Sequence, residues 1–166
     1  MGTTAKLHSL NYSNTKTYLF ALLFVSGNIL LPRLCHLVPN GGLMLLPLYF
    51  FTLIAAYKYG LQVGLLTAVL SPVVNTLLFG MPPVPLLPLV VIKSVLLAVA
   101  AAYAASRSGK VALLPILAAV LAYQGVGGVI EGFWHSFPVA AHHWQMAVPG
   151  MLLQVFGGYA LLKYTR

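Results

Sequence analysis

Acidic side chains are all but missing from this chain. Glu131 is the only carboxylate side chain in 166 residues, against nine Lys and Arg. Charged residues make up 6% of the sequence, where a soluble domain carries about 25%. Such a surface is unsuited to water. It suits lipid, and there each internal charge is expensive and becomes a functional suspect. Cysteine is equally scarce: Cys35 alone excludes an intrachain disulfide and any multi-cysteine metal centre, and a buried, inert thiol is its expected state. There is no second carboxylate for a relay of acids. Also missing are a Gly-x-x-x-x-Gly-Lys-Ser/Thr phosphate loop, a Gly-x-Ser-x-Gly elbow and a His-Glu-x-x-His pair. No ATP hydrolysis and no enzyme activity are expected of the chain itself. The net charge of +8 comes from dispersed residues, without a Lys/Arg stripe and interleaved aromatics, so nucleic acid is not an expected partner.

What is present is apolar length. AVILMFWYC residues make up 60% of the chain, and its mean hydropathy is +0.93. Several runs approach the ~20 residues needed to cross a hydrocarbon core of roughly 30 Å. The expected fold is an all-α integral membrane protein, a bundle of six transmembrane helices. A polar N-terminal segment, 1–17, precedes a membrane domain, 18–166, with spans at about 18–38, 43–59, 60–79, 84–105, 111–134 and 146–164. The breakers are Pro39-Asn40-Gly41-Gly42, Gly60, Gly80-Met81-Pro82-Pro83, Ser106-Arg107-Ser108-Gly109-Lys110 and a polar link from His135 to Gln145.

Positive charge orients the bundle. With the N-terminus in the cytoplasm, Lys6, Lys16, Lys58, Arg107, Lys110, Lys163 and Arg166 all fall inside. Both termini are then cytoplasmic, and segment 1–17 is a cytoplasmic lead. Arg33 and Lys93 fall in the opposite half.

That outer half holds the chemistry. Arg33 and His36 lie one helical turn apart near the end of the first span. Lys93 is about nine residues, or roughly 13 Å, into the fourth. Gln124, Gly128, Glu131 and His135 follow one another at helical spacing in the fifth span. Gly64, Ala68, Ser71 and Asn75 make a similar stripe in the third, and Gln154 lies midway along the sixth. Unpaired polar groups in hydrocarbon cost several kcal/mol each, so these should converge on a wetted cavity. The Asn40 loop and the 135–145 link are placed to cover it, with Trp134 and His135 closing from the second side. Competing readings stand beside this one. Lys93 and Glu131 pair as a helix–helix tie, Arg33 snorkels to headgroups, and Trp134, Trp144 and Tyr49 anchor at the interface, with ring stacking as the alternative for the two tryptophans. His142-His143 with His135 and Glu131 lacks any familiar zinc spacing, so no metal is expected.

Two stretches carry a resemblance: Pro39-Asn40-Gly41-Gly42-Leu43-Met44-Leu45-Leu46-Pro47, and Ala55-Ala56-Tyr57-Lys58-Tyr59-Gly60-Leu61-Gln62-Val63-Gly64. A Pro-x-Gly-Gly turn, a proline-bearing second span and a Tyr-Gly-x-x-x-Gly link into a small-residue third span resemble the S components of energy-coupling factor (ECF) vitamin transporters. The resemblance covers about Tyr18 to Tyr164. It implies a multi-pass protein of the bacterial cytoplasmic (inner) membrane that captures a vitamin-like solute from outside. It also implies partners, a transmembrane T component and two ABC-type ATPases, with ATP hydrolysed only there and no cofactor on this chain. Arg33 and Lys93 would meet an anionic group, a carboxylate above all. His36, Asn40, Asn75, Gln124, Glu131, Trp134, His135 and Gln154 would complete the site. If Glu131 neutralises Lys93, a neutral polar solute is expected instead. The family's Ala-x-x-x-Ala docking pattern reads here as Ala21-x-x-x-Val25, so Ala21, Ser26 and Gly27 are the docking expectation. The alternative is a ligand-free structural protein similar to the rod-shape determinant MreD.

Overall fold

The structure, a computed structural model, describes residues 7–35, 37, 39 and 41–165. It is all-helical, with no strand among the described residues. The helices are α1 (Thr15–Cys35), α2 (Gly41–Leu45), α3 (Pro47–Tyr59), α4 (Leu61–Phe79), α5 (Leu87–Ser108), α6 (Leu113–Trp134), α7 (Phe137–Met146), α8 (Val148–Leu152) and α9 (Gly158–Tyr164). A 3-10 turn, Val84–Leu86, leads into α5, and a π-helical turn, Leu153–Gly157, joins α8 to α9. In a helix every interior backbone donor finds its acceptor within the same segment, which hydrocarbon demands.

Four helical segments are long and apolar enough to cross a membrane: Thr15–Cys35, Leu61–Phe79, Val84–Ser108 and Leu113–Trp134. The C-terminal pair Phe137–Met146 and Val148–Tyr164, bent by 51°, makes a fifth if read as one span. This is the architecture of a multi-pass membrane protein. The expected second span, 43–59, differs: its helix breaks at Leu46, leaving α3 with 13 residues, about 20 Å of helix. Pro47 supplies the break, since it donates no backbone hydrogen bond and restricts the residue before it. The expected polar link 135–145 also differs. It contains no glycine, Ser136 is extended at its start, and Pro138 sits in the first turn, where proline favours a helix. The result is α7.

The bundle is built on small residues inside and large apolar ones outside. Ala55 and Ala56 of α3, Ala68 of α4, and Ala98 and Ala101 of α5 are fully buried, whereas Leu19, Leu22, Leu23, Leu30 and Leu34 of α1 are exposed. Lipid tails are as apolar as leucine, so helices associate through close packing rather than through burial of bulk. Gly64 shows how close: a Cβ there would lie 2.5 Å from Cβ of Ala56. α3 runs through the centre, against α1, α4, α5 and α9. Asn28 of α1 ties it in place. Its amide donates to Thr52 Oγ1 at 3.1 Å and Ser71 Oγ at 3.0 Å, and its carbonyl accepts from the Phe51 backbone N–H at 3.2 Å.

At one end, the segment before α1 straps onto the end of α3, with His8 and Leu10 N–H donating to the carbonyls of Lys58 and Tyr59. The Lys58 ammonium donates to the carbonyl of Thr165. At the other end, α2, the loop Gly80–Pro83, α7 and α8 fold over the bundle. Thr76 Oγ1 holds that loop by donating to the Pro82 carbonyl at 2.8 Å.

Candidate functional site

A cavity of about 440 Å³ opens between the α2–α3 break at Leu46, the Met81–Pro83 loop and α7. Helix α4 contributes Asn75, α5 Lys93, α6 Gln124 and Glu131, and α7 His143 and Trp144. The remaining wall is mainly apolar, with Pro47, Tyr49, Met81, Leu89 and Val90 prominent. Both the volume and the lining are typical of small-molecule sites, which run from about 300 to 1,000 Å³ with a few placed polar groups.

Glu131 organises the polar wall. The Lys93 ammonium donates to Oε2 at 2.5 Å, and His143 Nδ1–H donates to Oε1 at 2.5 Å. One carboxylate thus joins α5, α6 and α7. The Glu131 side chain is 4% exposed and that of Lys93 14%, but that of His143 is 34%, so the bridge runs from the bundle interior to the rim. Lys93 reaches Glu131 because Gly127 lacks a side chain. Its aliphatic stem lies across that glycine, and a Cβ there would sit 2.8 Å from Cγ of Lys93.

Asn75 and Gln124 face the same space. Both are buried, at 4% and 3% exposure, and both line the cavity. The Asn75 carboxamide makes no hydrogen bond to another described residue. Gln124 follows Tyr123, whose hydroxyl proton is donated to Gln154 Oε1 at 3.0 Å. Gln154 itself is fully buried behind the wall, in the π-helical turn. It supports Tyr123, which packs on the cavity residue Tyr49 with ring centroids 5.6 Å apart.

Leu46 adds a backbone peculiarity at the same place. It lines the cavity at the α2–α3 break with φ 48° and ψ 47°, the left-handed region that branched residues rarely occupy. Strain of this kind costs on the order of 1–3 kcal/mol and collects at binding sites.

Several expected residues lie elsewhere. Arg33 is exposed at the end of α1, with its guanidinium 3.6 Å from the Phe79 ring centroid. It lines a neighbouring cavity of about 320 Å³ that shares Pro32, Asn75 and Met81 with the main one. Trp134 and His135 are exposed and outside the cavity wall, because α6 ends at Trp134 and the chain turns away there. α7 folds back instead, with Phe137 packed over Gly132, and brings His143 and Trp144 to the rim. Tyr49 is buried at 6% exposure rather than standing at an interface. His36 and Asn40 lie outside the described residues. Of the docking residues, Ala21 is buried in the chain's own bundle and Gly27 packs against Phe51, while Ser26 faces outward. No cluster of three or more His, Cys, Asp or Glu with metal-binding geometry occurs among the described residues.

Compared with known proteins, the chain matches no family model, no curated protein and no solved structure. The functional reading therefore rests on the site.

Proposed function

We propose that the chain captures a small vitamin-like solute within the membrane and hands it to an ATP-driven module, as the S components it resembles do. The observation that carries this reading is convergence. Glu131, Lys93, Gln124 and Asn75 sit on three different helices, far apart in sequence, and line one cavity of about 440 Å³. A bundle held together only by packing has no need to gather its scarce polar groups around a void. Small-residue packing already holds the helices, and a buried ion pair alone is weak evidence for stability. A ligand-free scaffold gives no reason for the space they surround.

The finer topology belongs to the same proposal. The charge asymmetry supports both termini in the cytoplasm. α3 with α2 then forms a short, broken second span, the bent C-terminal pair closes the bundle, and the cavity opens outward. Discontinuous helices at a membrane-embedded site are a recurrent way to build solute sites. ATP hydrolysis lies with separate partner subunits.

Native mass spectrometry of the detergent-purified chain tests the reading. The expected result is a retained small molecule, weakened or lost in Trp144→Ala and kept in Trp134→Ala, with both variants folded. A chain that retains nothing and is not stabilised by any solute in a vitamin and metabolite panel refutes capture.

A further inference from the structure

The charge and hydrogen-bond inventory of the cavity says more about what it takes. We infer that its solute is neutral at the end that meets Lys93 and carries a hydrogen-bond donor and acceptor side by side, as in an amide, lactam or ureide edge. This rests on the capture reading above and narrows it.

The first support is charge. Among the described residues Lys93 is the one Lys or Arg lining the main cavity, and its ammonium is already held at 2.5 Å by Glu131. Lys93 and Glu131 sum to zero. A carboxylate arriving at Lys93 would place a second negative charge beside Glu131, and like charges at that range repel. No other acid exists in the chain to be displaced instead. Arg33, the other outer-half cation, lines the neighbouring cavity and not this one.

The second support is independent of charge. Asn75 on α4 and Gln124 on α6 are more than nine-tenths buried and both line the cavity. Each carboxamide offers N–H donors and a carbonyl acceptor. The Asn75 carboxamide bonds to no other described residue. Groups left so in a low-dielectric wall are costly unless a ligand or water completes them. A carboxylate has only acceptors and cannot satisfy a carbonyl. An amide-like edge supplies both partners at once. The rest of the wall, with Tyr49, Trp144 and Pro47, suits a ring or apolar body behind that edge.

Two measurements on the full chain in detergent decide it. Small molecules released from the purified protein are identified, and matched pairs differing in one group are compared by thermal shift: indoleacetamide with indoleacetate, and cinnamamide with cinnamate. Expected are a released molecule with an uncharged amide, lactam or ureide group and stabilisation by the amides at concentrations at least tenfold below the acids. The near-isosteric Asn75→Leu is expected to erase that preference while remaining folded, and Asn75→Asp, which keeps the size but adds a charge, to weaken amide binding. A released anion, acids matching or beating the amides, or a preference untouched by both variants overturns the inference and leaves solute capture standing. If nothing is released and no probe binds the folded chain, both fall.

Discussion

Replacing Lys93 by methionine separates what the ion pair does for folding from what it does for binding. The change keeps the aliphatic stem that crosses Gly127 and removes only the ammonium. Glu131, at 4% side-chain exposure, then keeps its charge with His143 as its remaining hydrogen-bond partner. Removing one member of a buried pair costs about 3–5 kcal/mol, because the other is left uncompensated. At about 2–4 °C per kcal/mol for a chain of this size, the melting temperature should fall by roughly 6–20 °C. The double variant Lys93→Met, Glu131→Leu removes both charges. Apolar replacement of a whole buried pair is neutral or stabilising by about 1–4 kcal/mol, so the double variant should melt at or above the parent. The assay is thermal unfolding in detergent for the four members of the cycle, with solute retention scored in parallel. Retention should be lost in both variants, although only the single one is destabilised. Additive effects in the cycle, or a Lys93→Met protein as stable as the parent, would refute the claim that these charges are buried and coupled.

Two further outcomes test neighbouring parts of the structure. Asn28→Ala strands the fully buried Ser71 hydroxyl and takes one partner each from Thr52, which keeps its bond to the Leu48 carbonyl, and the Phe51 N–H. Each unsatisfied group costs about 1–3 kcal/mol, so the melting temperature should drop while the amide-over-acid preference stays unchanged. Gly127→Ala and Gly125→Ala form a matched pair. A Cβ at Gly125 meets nothing within 4 Å, so alanine should stabilise the helix by roughly 0.5–1 kcal/mol. At Gly127 the same Cβ meets Lys93 at 2.8 Å and should push its ammonium off Glu131. Solute retention should weaken there and hold at Gly125, as equilibrium binding would report.

Much of the site was legible in the residues because burial of polarity is a local signal. A Lys, a Glu, an Asn and a Gln inside apolar runs must face inward, whatever the details of packing. The helical spacing of Gln124 and Glu131 put both on one face of α6. The same spacing failed at His135, since periodicity holds only while the helix lasts, and α6 ends at Trp134. His143 is the clearest omission. Its partner lies twelve residues earlier, and only the turn over Gly132 brings the two together. The His142-His143 pair offered no spacing by which to choose between them.

The residues by themselves pointed to helices in lipid, because 6% charge supports no water-facing surface and apolar runs of about 20 residues suit helices that cross hydrocarbon. They also singled out Glu131 as the charge that demanded an account. Tertiary structure decided what that account is. Glu131 bridges Lys93 and His143 across three helices, so of the two roles open to Lys93, meeting an anion or pairing with Glu131, the structure shows the pair. No sequence pattern carries that fact, since which charges touch depends on helix crossings set by small-residue packing far from the site. The same crossings left Asn75 and Gln124 lining a space that a neutral donor–acceptor edge would complete.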